Sequence, residues 1–480
     1  MAVLSHLEPK RVFEIFEDIC SVPHGSGNIW QISNYCVDFA KQRGLEHIQD
    51  ELGNVIIFAP GTSGYEQAEP VILQGHMDMV CVKTPDCPLD LEKDGLELYV
   101  DGDYVRAKNT SLGADNGIAV AMALAIIDSP ELPHPPIEAL LTVDEEVGLF
   151  GAAGVDMTPL KGNKLVNMDS EEEGVFTVSC AGGVRVNCVL PVEKEQTALT
   201  PITVSVDGLL GGHSGIEINK GRGNSNKLMG RVLAAIGEKT PVQLASLEGG
   251  TADNVIARAC KAVVCVADAQ AAADAAAEME SVFRAELAQT DPGVRVVVEK
   301  LAQAPAQVVT AADTAKVIAA LQSLPQGVQA MSKSIEGLVQ TSLNMGQLNL
   351  VESAVVLRIS LRSSVADEKA ALLARIQSVI ESAGGSISTE GDYPAWEYRE
   401  DSPLRDLFIQ VYVDQYGKQP KVDAIHAGLE CGLLSGKRPS LDCISIGPDL
   451  QAVHSVDEKL SISSTKRVWE LVLEVLKRSK

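Results

Sequence analysis

The sequence predicts an α/β layer fold interrupted by an inserted α+β domain, and three observations carry that prediction. Up to about residue 185, short apolar runs of strand type alternate with helical runs, the pattern of an α/β layer. From about Val184 to Gly391 the pattern changes to β-rich runs separated by amphipathic helices. After Asp392 the chain returns to helix, strand and helix, so its tail can rejoin the first layer and make the middle an insertion.

The segment MAVLSHLEPKRVFEIFEDIC places Glu8, Lys10 and Arg11 where a secretory signal needs an unbroken apolar core, and it reads as an amphipathic helix. Val55–Phe58, Val71–Leu73, Ile137–Val143 and Leu165–Met168 read as strands. Asp115–Asp128 has no Gly or Pro after Gly117 and is Ala-rich on all sides, which predicts a buried helix. Its apolar stretch, Ile118 to Ile127, is about half the ~20 residues that cross a bilayer, so no transmembrane segment is expected. In the middle, strands are expected at Val184–Leu190, Ile202–Val206, Ala262–Val266, Val294–Val298 and Val355–Leu361, with helices near 224–237, 268–289 and 366–383. Ala269–Ala277 is Ala-rich, but its charges and flanking apolar residues predict a surface helix. The tail reads as helix Ser402–Tyr416, strand Cys443–Ile446 and helix Ser464–Lys477. No repeat of fixed period is evident.

The chain has 480 residues, a net charge of −25, 45% hydrophobic and 22% charged residues. This is the composition of a soluble globular protein of two to four domains at ~100–200 residues each. The acid excess repels phosphate backbones and anionic lipid, so neither nucleic acid nor membrane is expected as a partner. Ten cysteines are scattered, and the pairs Cys81/Cys87 and Cys260/Cys265 lack zinc-ribbon or CxxC spacing. Reduced thiols in a cytoplasmic protein are expected.

Chemistry concentrates beyond the carboxyl ends of the proposed strands, the edge where open α/β sheets bind ligands. Val71–Leu73 runs into GHMDM, Ile137–Val143 into DEEVG, and Leu165–Met168 into Asp169; Cys443–Ile446 is followed by a loop and His454; Asp115 opens the buried helix. His76, Asp115, Glu146, Asp169 and His454 supply two imidazoles and three carboxylates, which suits two zinc ions with one bridging carboxylate, Asp115. Manganese or cobalt also suits these ligands. A turn after the strand can aim Glu145 and Glu146 into one cavity, one for metal and one for protons. Asp78, two residues after His76, lies on the same side of an extended chain and can orient the imidazole.

The segments ILQGHMDMV, NTSLGADNGIAVAMALAI, LLTVDEEVGLFGA, LVNMDSEEEG, GGHSGIEINKGRGN, AIHAGLECGLL and AVHSVDEKLSI together resemble the di-zinc exopeptidases related to aminoacylase, peptidase T and succinyl-diaminopimelate desuccinylase. Within them, the likeness is to the aminoacyl-histidine dipeptidase, or cytosol non-specific dipeptidase, branch, over nearly the whole chain. The resemblance implies a zinc-exopeptidase-like three-layer catalytic domain in two parts, residues 1–186 and 394–480, and an inserted α+β lid and dimerisation domain, 187–393. It implies the metal ligands His76, Asp115 (bridging), Glu146, Asp169 and His454, with Glu145 as general base and Asp78 behind His76. Asp169 stands where several relatives have Glu. His213 in GGHSG matches the lid histidine that polarises the scissile carbonyl, often from the other subunit of a homodimer. Asn254 in GGTADNVIA matches an Asn near substrate. Arg362 falls where relatives grip the substrate carboxylate, although Ser360 replaces the usual acidic residue.

Each of these has a plainer reading. His6, His24, His47 and His134 read as surface or packing residues, and Glu171–Glu173 as a solvated loop. His213 is alternatively an ordinary loop residue. In HAGLECG, which holds His426, backbone amides near Gly428 can approach a substrate carboxylate and Glu430 its ammonium group, or the segment is a tight turn with a surface Glu. GLLGGHSG lacks the residues of a P-loop, and Cys431 has no positioned base. The expected activity is hydrolysis of dipeptides with a free amino terminus, including Xaa-His, through a water activated between two metal ions. Aminotripeptidase or N-acyl-amino-acid deacylase activity on the same metal site is the alternative.

Overall fold

The computed structural model describes residues 3–303 and 305–480. They divide into two compact units, one of residues 3–180, 398–424 and 429–480, the other of 181–303, 305–397 and 425–428. The changeover therefore falls at 180/181 and 397/398, a few residues from the 186/187 and 393/394 read from sequence. The reason is local: strand Gly182–Pro191 already pairs with Ala354–Ser363 and Ser386–Tyr393 of the second unit's sheet.

The first unit is built on an eight-stranded sheet in the order Glu46–Gln49, Val55–Ala59, Ile137–Thr142, Val71–His76, Lys164–Asn167, Asp442–Ser445, Val175–Cys180, Lys421–Ile425. The four strands from Ile137–Thr142 to Asp442–Ser445 in that order are mutually parallel. Val71–His76 and Ile137–Thr142 are buried at every position, as parallel strands covered on both faces must be. Because the four run the same way, their carboxyl ends share one edge, and the expected ligand-bearing segments leave from it. A separate four-stranded antiparallel sheet, ordered Leu450–Gln451, Lys459–Ser461, Tyr104–Ala107, Leu98–Asp101, carries the segment that follows the last parallel strand.

The Ala-rich stretch forms helix Ala114–Ile127, with only Asp115 short of full burial among residues 114 to 126. Its first turn is irregular. Gly113 is left-handed at φ 67°, and Asp115 and Asn116 are non-helical. The helix packs so close to strand Val71–His76 that a Cβ on Gly75 would lie 2.5 Å from Asn116 Oδ1 and 2.7 Å from Ala119 Cβ. That glycine is required by proximity.

The second unit is an antiparallel sheet running from Arg295–Lys300 through Thr200–Asp207, Cys260–Val266, Val242–Gly249, Val339–Leu350, Ala354–Ser363 and Gly182–Pro191 to Ser386–Tyr393, with Gly327–Met331 added beside Val339–Leu350. Helices Ser225–Lys239, Ala269–Glu286, Ala311–Ser323 and Ala366–Ser382 contribute buried residues to a common core with it. Asn224 and Asp268 cap the first two of these helices, each accepting two backbone N–H groups. Among the described residues no helix is long and apolar enough to cross a membrane.

Gly75→Ala is expected to destabilise the protein by about 1–3 kcal/mol, since its neighbours are a hydrogen-bonded amide and a helix wall. Urea denaturation checks this; an unchanged midpoint would show that the helix can withdraw.

Candidate metal centre

His76 is the last residue of strand Val71–His76, and its imidazole is buried. Its Nδ1 lies 3.0 Å from the backbone carbonyl of Asp78, a partner for a proton on that nitrogen, and Nε2 faces two carboxylates. Nε2 lies 3.2 Å from Asp115 Oδ1 and 3.4 Å from Asp169 Oδ1. Asp115's other oxygen, Oδ2, lies 3.2 Å from Nε2 of His454, which is also 2.8 Å from Glu146 Oε1. The five predicted ligands thus form two lobes: His76 with Asp169, and His454 with Glu146, sharing Asp115 through one oxygen each.

The donor set fits metal. Ligands at about 2.0–2.1 Å from a tetrahedral zinc lie about 3.3 Å from one another, and the separations of 3.2 and 3.4 Å around His76 Nε2 match that edge. Ligand atoms of His76, Asp115 and Glu146 all fall within 4.8 Å of one another, so the two lobes are contiguous.

Electrostatics points the same way. Burial opposes charge on His76, yet Asp169, Asp115 and Asp78 push its pKa well above the ordinary value. His454 is pushed up to about 10 by its hydrogen bonds to Asp115 and Glu146. Burial raises Asp169 to about 7 against the pull of His76, with Asp115 and Glu430 adding to the rise. Asp115 stays far below the usual carboxylate range because the two histidines outweigh its burial. Glu145 is raised strongly, by burial first and then by Asp169, Glu430 and Glu146. Without cations, the cluster retains protons to offset crowded negative charge.

Backbone geometry presents the DEE turn. Asp144 is left-handed at φ 52°, and its Oδ1 accepts the Gly27 N–H at 2.6 Å. Asp78, fully buried, accepts the N–H of Glu145 at 3.0 Å, that of Glu146 at 3.4 Å and the Ser26 hydroxyl at 2.8 Å. Its carboxylate Oδ1 is 3.4 Å from His76 Nδ1, longer than the bond from that nitrogen to its own carbonyl. Asp78 therefore holds His76 through its backbone and the Glu145–Glu146 turn through its carboxylate.

Glu430 lies elsewhere than a substrate ammonium or a surface turn would have it. It is fully buried at the start of helix Glu430–Lys437, its Oε2 accepting from Gln74 Nε2 at 2.5 Å and Thr142 Oγ1 at 2.8 Å, while Oε1 has no partner among the described residues. The network extends to Asn167, whose Nδ2 donates to Gln74 Oε1 at 2.6 Å. An apolar-looking strand run conceals such a layer, because Gln74, Thr142 and Asn167 come from three different strands. Asn116 was also not foreseen: its Oδ1 accepts the His76 N–H at 3.2 Å and its Nδ2 donates to the Met168 carbonyl at 2.8 Å.

The second unit has a polar cluster of its own. Residues Gly212–His213 pair with Val255–Ile256, and the Ser214 N–H donates to the Asn254 carbonyl at 2.9 Å, so His213 and Asn254 are brought together. His213 Nδ1 accepts the N–H groups of Gly215 and Ile216, both at 3.3 Å. Burial and the charge of Arg362 lower its pKa, which leaves a neutral ring carrying its proton on Nε2. Arg362 donates from Nη1 to the Tyr393 hydroxyl at 3.2 Å. His426 bonds Ser342 Oγ through Nε2 at 2.7 Å, and burial with Arg362 lowers it to about 3. The ring of Tyr393 lies against Gly428, 2.9 Å from where a Cβ would stand. Glycine leaves room there for this ring. Tyr393 carried no sequence signal.

An open α/β sheet with two imidazole-carboxylate lobes at its carboxyl edge is the arrangement a metallohydrolase needs. Residues 204–291 match the peptidase dimerisation domain of the M20 peptidases. The chain is 37% identical over 487 aligned residues, 99% of each chain, to the cytosol non-specific dipeptidase of Escherichia coli. It superimposes on the aminoacylhistidine dipeptidase of Vibrio alginolyticus with a TM-score of 0.94 at 37% identity, covering 99% and 98% of the two chains. An aminopeptidase of Bacillus cereus shares the fold at a TM-score of 0.58 and 15% identity, over 98% and 99%. The chain belongs to the M20 metallopeptidase family.

Asp115→Ala is expected to lose metal from both lobes, whereas Asp169→Ala keeps the His454 lobe. Elemental analysis of metal per chain after gel filtration distinguishes them; equal retention in the two variants would contradict the shared-carboxylate arrangement.

Proposed function

We propose that the protein is a metal-dependent dipeptidase of broad specificity, acting on dipeptides with a free amino terminus, Xaa-His among them. The observation that carries this is Asp115 facing an imidazole with each oxygen, while the turn that bears Glu145 and Glu146 is held by Asp78 beside His76. The full-length likeness to two dipeptidases supports the substrate class. We read the physiological metal as two zinc ions, the ligands also accommodating manganese or cobalt, and the working form as a cytoplasmic homodimer formed through the second unit.

Metal ions held by His76, Asp115, Glu146, Asp169 and His454 supply Lewis acidity, which acidifies a water and polarises a carbonyl. Glu145 is the general base: its carboxylate takes a proton from the attacking water and delivers it to the departing amine. Burial raises its pKa, which favours its holding the proton between the two transfers. Asp78 keeps the catalytic turn in place. His213 offers an Nε2–H donor for the scissile carbonyl oxygen. Arg362, with Asn254 as a further polar contact, meets the substrate carboxylate; the neutrality of His213 and His426 around Arg362 leaves one concentrated positive charge for one carboxylate.

A panel of a free dipeptide, its N-acetylated form and a tripeptide tests the assignment. The free dipeptide is expected to be cleaved fastest, with loss on chelation and recovery on adding zinc. Preference for the acetylated or longer substrate would move the function to deacylase or aminotripeptidase. Glu145→Gln is expected to lower kcat by about 10²–10⁴ with metal content unchanged; near-normal turnover would remove Glu145 from the mechanism. Arg362→Ala is expected to lose kcat/KM for dipeptides while sparing those with an amidated carboxyl end, and equal losses on both would separate Arg362 from carboxylate recognition.

A further inference from the structure

Glu458 lies four residues after His454 and is almost completely buried. Its Oε2 accepts the backbone N–H of Leu112 at 2.7 Å and of Gly113 at 3.0 Å; its Oε1 accepts those of Ala114 at 2.9 Å and Asp115 at 3.4 Å. Four consecutive N–H groups thus converge on one carboxylate. They converge because Gly113 is left-handed and the next residues open the helix irregularly, so these donors point inward and have no helical acceptor. A buried carboxylate with four such donors forms a stiff tie, since opening it would expose the charge and leave several donors unpaired together.

The other end of the tie is equally constrained. The Glu458 N–H donates to the Ser455 carbonyl at 3.2 Å, the Asp457 N–H to Ser455 Oγ at 3.1 Å, and Ser455 Oγ to the Ala452 carbonyl at 2.6 Å. Within this turn Ala452 and His454 are both left-handed, at φ 53° and 60°. His454 is otherwise exposed, reaching Asp115 and Glu146 only with its ring tip.

We infer that Glu458 is a positioning residue of the metal centre: one carboxylate joins the backbone of the shared ligand Asp115 to the turn that presents His454, setting the His454 lobe before any ion binds. The inference rests on reading residues 76, 115, 146, 169 and 454 as metal ligands. The His76 lobe is placed independently, by the strand, by Asp78 and by Asn116, and does not depend on this tie beyond the position of Asp115 itself.

The experiment titrates metal-free protein with cobalt, following its visible absorption and, by chelator competition, the two binding steps. In Glu458→Gln an amide NH₂ replaces one acceptor oxygen and opposes two donors. The dissociation constant of the His454-lobe ion is expected to rise by about 10–100-fold, the usual effect of removing an outer hydrogen-bond partner of a ligand, with a smaller change in the first step. A variant that is merely less stable, with both dissociation constants at wild-type values in the folded fraction, overturns the inference. Asp115→Ala is the control: if it binds both ions normally, the ligand assignment itself fails, whereas loss there with normal binding in Glu458→Gln sinks only the role of Glu458. Hydrogen exchange on the wild-type chain is a second measurement that needs no variant. The amides of residues 112–115 are expected to be protected without metal; if they exchange freely until cobalt is added, the ions order this segment and Glu458 does not.

Discussion

Mutual repulsion among crowded, partly buried carboxylates is the constraint on which the first unit is organised. Asp78, Asp115, Glu145, Glu146 and Asp169 crowd around two imidazoles, in surroundings that screen charge poorly. A flexible scaffold would let them separate. Here each acidic segment is held by its backbone: the 145–146 amides by Asp78, the 112–115 amides by Glu458, and His76 and Met168 by Asn116. The repulsion therefore persists as an unmet demand for positive charge, which protons meet partially and divalent cations meet better.

This division of labour explains what could be read from sequence. Each candidate metal ligand follows an apolar run or opens the Ala-rich helix, so residue type and place in the fold were visible together for His76, Asp115, Glu146 and Asp169. The parallel order of their strands turns separate chain positions into one edge. The groups that hold the ligands were not visible, because their partners lie far along the chain: Glu458 reaches back to residue 112, and Glu430 to Gln74 and Thr142. Glu430 was misjudged because a glycine-rich flank suggests a solvated turn. The chain instead enters helix Glu430–Lys437 there and carries the side chain inward. Strand Val175–Cys180, which follows the acidic run Glu171–Glu173, and the long strand Val339–Leu350, with its Asn and Gln residues, were hidden by polar positions that bond within the fold.

The second unit handles charge differently. Whereas the metal centre accumulates like charges, the cluster around Arg362 holds one guanidinium and keeps its histidine neighbours neutral. His213 and His426 act there as dipoles of fixed direction, one tied by two amides and the other by Ser342.

The strand order of the first unit bears on how the chain comes off the ribosome. Lys164–Asn167 and Val175–Cys180 are separated by a seven-residue connection, yet they do not pair; the place between them belongs to Asp442–Ser445. Until that late segment emerges, two apolar strands face an empty position with unpaired amides on either side, and the whole second unit has been synthesised in the interval. The nascent first unit is thus a sheet with a missing stave, open to capture by a wrong strand or by another chain. Its completion and the arrival of His454, nine residues after Ser445, come almost together, so the last step of assembly is also the one that completes the candidate metal centre.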